Sequence, residues 1–94
     1  MNFETFQQSL QTDAPPADSS VFLQSLWLDA KGDWEKAHTI IQDINGKQAA
    51  WIHAYLHRRE GDVWNANYWY TKADKRMPGY SLEQEWEEIV KAML

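Results

Sequence analysis

The segment Gly32-Asp33-Trp34-Glu35-Lys36-Ala37 returns 29 residues later as Gly61-Asp62-Val63-Trp64-Asn65-Ala66. Each glycine closes an apolar helical stretch, because it takes a left-handed conformation without a steric penalty. Each aspartate is placed to open the next helix, its carboxylate accepting from backbone N–H groups that have no partner in the first turn. A chain that stops and restarts helices at a fixed period of this size is built from helical hairpins. The repeat therefore predicts an all-α stack and leaves the chemistry open.

The remaining punctuation divides the chain into six helical stretches. The first runs from Asn2 to about Gln11, with Phe3, Phe6 and Leu10 on one stripe. Pro15-Pro16 forces Thr12–Asp18 into an extended connector. Ser19 or Ser20 caps a helix reaching Lys31, whose buried face is Phe22, Leu23, Leu26 and Trp27. Asp33 to about Asp43 follows, with Trp34, Ala37, Ile40, Ile41 and Ile44 inward. Asn45-Gly46 breaks it; Lys47–Glu60 and Asp62 to about Arg76 form the next pair, ended by Pro78-Gly79. Ser81-Leu82-Glu83-Gln84 is a capping-box pattern opening a last helix, with Leu82, Trp86, Ile89, Val90 and Met93 on one side and glutamates on the other. No stretch alternates with a period of two, so no sheet is expected.

Ninety-four residues, 44% of them hydrophobic, suffice for one core and one domain, 1–94. Within it, 1–18 is the N-terminal helix and connector, 19–45 the first hairpin, 46–80 the second and 81–94 a capping helix. The chain has no cysteine, so neither a disulfide nor a thiolate metal site can form. Met1-Asn2-Phe3-Glu4 lacks a basic leader and no apolar run is long enough to span a bilayer, which gives cytoplasmic localisation as the expectation. A net charge of −5 argues against nucleic acid and anionic membranes as partners. That charge is unevenly spread: residues 1–45 carry −5, residues 46–80 carry +3 and residues 81–94 carry −3. A basic hairpin between acidic neighbours favours their stacking, and it also offers a patch for an acidic peptide.

From Gly61 onward, Ala66, Tyr70, Ala73 and Pro78 stand at the offsets of the second half of a tetratricopeptide repeat, which this segment resembles. Asn65–Ala73 is also similar to the Ala-x-x-Trp-Tyr-x-Lys-Ala stretch of Sel1-like repeats, and Trp51–Tyr70 resembles a group of short bacterial proteins without an assigned activity. The earlier hairpin matches at Gly32, Ala37 and Ile41, but lacks the closing proline. In the second hairpin the large apolar positions of the family fall on His53 and His57. The resemblance implies a right-handed stack of antiparallel hairpins and partner binding, and supplies no catalytic residue.

No phosphate loop, nucleophile elbow or other catalytic constellation is present, so a non-enzymatic protein- or peptide-interaction module without a cofactor is the expected function. By the geometry that the resemblance implies, Trp51, Tyr55, Arg58 and Arg59 line the concave face and form the partner-binding residues, the arginines gripping carboxylates. Two repeats make a short groove, however, and a terminal helix or a second subunit would cover the same residues. Trp64, Tyr68 and Lys72 form a further surface at i, i+4 and i+8, suited to the terminal helix, to solvent or to a homodimer contact. The alternative function is small-ligand or metal binding at His53 and His57, one helical turn apart beside Trp51 and Tyr55, with His38 arriving from the neighbouring helix. A helical pair alone lacks a third ligand, so no metal is assigned at this level.

Overall fold

The computed structural model describes residues 1–94 and is all-helical. Its elements are α1 (Phe3–Gln8), a 3₁₀ turn (Ser9–Gln11), α2 (Val21–Ala30), α3 (Trp34–Ile41), α4 (Lys47–Glu60), α5 (Val63–Lys72) and α6 (Leu82–Met93). No helix is long and apolar enough to cross a membrane.

The two Gly-Asp junctions share one hydrogen-bond pattern. Gly32 has φ 90° and Gly61 φ 86°, both left-handed. At the first junction the Gly32 N–H donates to the Asp29 carbonyl and the Asp33 N–H to that of Leu28, each at 2.9 Å. At the second, the Gly61 N–H donates to Arg58 at 3.1 Å and the Asp62 N–H to His57 at 2.9 Å. This is the Schellman closure, and the aspartate that completes it also caps the following helix. The Asp33 carboxylate accepts from Lys36 N at 3.1 Å, and that of Asp62 from Asn65 N at 3.2 Å. Ser20 caps α2, and Ser81 with Gln84 forms the full capping box of α6.

One boundary departs from expectation. α5 ends at Lys72 rather than near Arg76, because Asp74 takes the left-handed conformation at φ 60°. The Lys75 N–H then donates to the Tyr70 carbonyl at 2.9 Å, a third closure of the same kind without a glycine. Pro78 lies beyond the helix and does not terminate it.

α2 packs on α3 and α4 on α5, while α6 returns across α4 and α2. α4 is the central element, with every residue from Ala49 to His57 buried. Nineteen buried apolar residues form a single cluster, and its largest fully buried members are Tyr55, Tyr70, Phe6, Leu26, Ile41, Ile52, Leu56 and Ile89. Burying each large aliphatic side chain contributes about 1.5–3 kcal/mol. The buried indoles of Trp27 and Trp86 and the half-buried one of Trp34 find acceptors: Trp27 on Ser9 Oγ at 3.1 Å, Trp34 on the Leu56 carbonyl at 2.7 Å and Trp86 on the Leu26 carbonyl at 3.0 Å.

Candidate functional sites

Three places on this scaffold concentrate polar or aromatic chemistry, and α4 supplies two of them. Along the side of α4 facing α6, the Glu85 carboxylate sits 1% exposed among three donors. Trp51 Nε1 donates to it at 3.2 Å, Arg58 Nη1 at 2.9 Å and the Tyr70 hydroxyl at 2.7 Å. Burial, followed by the bond to Glu85, pushes the Tyr70 phenol far above its usual range. These three donors offset the cost of taking the Glu85 carboxylate out of water.

Nearby, Asp29 is also 1% exposed and faces Arg59, whose Nε lies 3.1 Å from Oδ1 with its N–H out of line. Burial raises the Asp29 pKa, against the opposing pull of Arg59 and the Tyr55 hydroxyl. Trp51 and Tyr55 are both buried, Arg58 is committed to Glu85 and Arg59 is held by Asp29. α6 lies over Trp51 and Arg58 and Tyr55 is buried beside Asp29, so these three are drawn into the interior, while the Arg59 side chain stays 41% exposed at the edge. Glu85, one of several glutamates on an amphipathic helix, carried no sequence signal of its interior role.

On another side of α4, all three histidines of the chain converge. His38 comes from α3, and His53 and His57 from successive turns of α4. Nε2 of His38 and Nε2 of His53 are 3.0 Å apart. One candidate ligand atom from each of the three lies within 4.8 Å of the others. His57 Nδ1 meets Glu60 Oε1 at 2.8 Å. Trp34 stacks on His38 with centroids 4.9 Å apart, and Trp69 stacks on His53 at 3.9 Å. Burial and then the neighbouring histidines lower the His53 pKa to about 4, and burial and then His57 lower that of His38. The pair expected beside Trp51 and Tyr55 thus packs against Trp34, Trp69 and His38 instead, because successive positions on a buried helix face different neighbours.

The third place is the outer face of α5. Trp64 is 76% exposed, the highest value among the large apolar side chains left in solvent. Its ring lies parallel to that of Tyr68 at 6.3 Å, and Lys72 Nζ stands 5.2 Å over the Tyr68 ring. α6 does not cover this ladder; Ala66 and Tyr70, on the opposite stripe of α5, are the residues that enter the core.

No family model matches the chain, and no curated protein or solved structure matches it either.

Proposed function

We propose that this protein is a non-enzymatic interaction module of the tetratricopeptide-like type, working in the cytoplasm, and that it binds an acidic peptide segment of a partner along the outer face of α5. The observation that carries this reading is the exposed Trp64–Tyr68–Lys72 ladder. A tryptophan left in water retains apolar surface that a partner can bury, and aromatic side chains dominate the energetics of interfaces. Three residues at i, i+4 and i+8 present a strip about 12 Å long, which suits a short peptide. Charge selects the occupant: Lys72 stands on the ladder itself, its ammonium over the Tyr68 ring and without an acidic partner. Arg76 is exposed just beyond the end of α5. The two Gly-Asp hairpins with the same closure support the repeat assignment.

The test uses a dye-labelled peptide rich in Asp and Glu with one leucine anchor, titrated into the purified chain. Saturable binding is expected, weakening as salt rises and falling at least tenfold in Trp64→Ala, whose helix content should be unchanged because the side chain is exposed. Absence of saturable binding removes the proposal. So does a sedimentation mass of two chains that Trp64→Ala reduces to one, since a second copy would then occupy the face.

A further inference from the structure

Histidine is an expensive way to fill a helix seam. Leucine or phenylalanine would pack between α3 and α4 without taking imidazole nitrogens out of water. Yet every histidine in the chain is placed at this one seam, with His53 and His57 at 6% and 8% exposure. The nitrogens turn toward one another: His38 and His53 meet through Nε2 at 3.0 Å, where a single proton bridges two groups that each hold a lone pair when neutral.

His57 is oriented by a carboxylate. Its Nδ1 is 2.8 Å from Glu60 Oε1, so the N–H is held on that side and the Nε2 lone pair is left free. This is the arrangement in which a metal-binding imidazole is fixed in tautomer and orientation by the acid behind it. Trp34 and Trp69 form flat walls against His38 and His53, which limit how far those rings can rotate.

We infer that His38, His53 and His57 form a three-histidine site for a late first-row divalent transition-metal ion, with Glu60 positioning His57. A tetrahedral ion with nitrogen bonds of ~2.0–2.1 Å holds its ligand nitrogens about 3.3 Å apart. The three ligand atoms already lie within 4.8 Å, so closure needs movements of at most about 1.5 Å, within the reach of side-chain torsions. Three neutral imidazoles, with neither thiolate nor carboxylate in the first sphere, suit zinc, copper(II), nickel or cobalt and disfavour calcium and magnesium. His38 is only half-buried, so ion and fourth ligand, a water molecule, enter from its side. An ion held here ties α3 to α4 and thereby joins one helix pair to the other. The site shares no residue with the α5 ladder, so either proposal can fail without the other.

Metal-free protein is titrated with cobalt(II), followed by zinc(II) in competition. One cobalt per chain with the visible absorption of a tetrahedral complex is expected, together with a raised melting temperature at saturating ion. His38→Phe and His53→Phe keep an aromatic ring in the seam; each should lose cobalt binding by more than a hundredfold while the metal-free fold is retained. Glu60→Gln should weaken binding by about ten- to a hundredfold through His57 alone. If either phenylalanine variant fails to fold, His38→Gln, at the half-buried position, gives the same reading. Absence of stoichiometric cobalt binding by the wild-type chain overturns the inference. Undiminished binding in the His38 variants does so as well.

Discussion

Arg58 carries its charge into a site that water barely reaches, its side chain 16% exposed and that of Glu85 1%. Removing the guanidinium leaves the Glu85 carboxylate buried with its charge uncompensated. Breaking such a pair from one side costs about 3–5 kcal/mol, far more than an exposed pair is worth. Arg58→Ala should therefore lower the melting temperature by more than about 10 °C, on the scale of about 4–8 °C per kcal/mol for a domain of this size. Lys91→Ala, which removes an exposed pair with Glu87, should change stability by less than about 0.5 kcal/mol. Equal thermal melts for the two variants would mean that Glu85 is hydrated in solution. An arginine near a helix C-terminus ordinarily reads as a solvated side chain, and nothing within α4 itself distinguishes Arg58 from that ordinary case.

At the scale of the element, three helices end through the same left-handed closure, but only two of them use glycine. No atom stands within 4 Å of the Cβ position at Gly61, so a side chain there meets backbone strain alone. Gly61→Val should cost about 1 kcal/mol or more. Asp74 occupies the equivalent position after α5 at φ 60°, where its Cβ is strained. Its ion pair with Lys47 spans 3.7 Å between side chains that are 72% and 84% exposed, which contributes little. Asp74→Gly should accordingly stabilise the protein by up to about 1 kcal/mol, the opposite sign to Gly61→Val. Chemical denaturation of the two variants checks both signs, and destabilisation by Asp74→Gly would show that the Asp74 side chain does more than fill a turn.

At the scale of the whole molecule, α6 is part of the core and not a detachable cap. It contributes Glu85, Trp86, Ile89 and Val90, all buried, and it closes the polar network on Trp51, Arg58 and Tyr70. A chain ended after Gly79 exposes that network and the apolar face of α4 together. Such a chain should lose its cooperative thermal transition and its near-ultraviolet circular dichroism. A cooperative melt within a few degrees of the full chain would instead show that the two hairpins stand alone, as repeats with nearest-neighbour stability do.

Much of the local structure was legible in the sequence: the Gly-Asp junctions, the Ser20 and Ser81 caps, the proline connector and the absence of strands. These depend on hydrogen bonds between residues three to five apart, which a short stretch of chain encodes by itself. The end of α5 was missed because aspartate, unlike glycine, gives little warning of a left-handed turn. What the tertiary structure decided is which side of α4 meets which neighbour. Trp51 reaches Glu85 across 34 residues, Arg58 reaches it across 27, and His38 meets His53 across 15. A helical period marks a stripe as apolar or polar without naming the element that will lie against it. On α4 that pattern is further blurred, since nine consecutive residues from Ala49 to His57 are buried. Long-range packing therefore decided that Trp51, Tyr55 and Arg58 lie inside the molecule, and brought His38 to an i, i+4 pair that is incomplete along the chain.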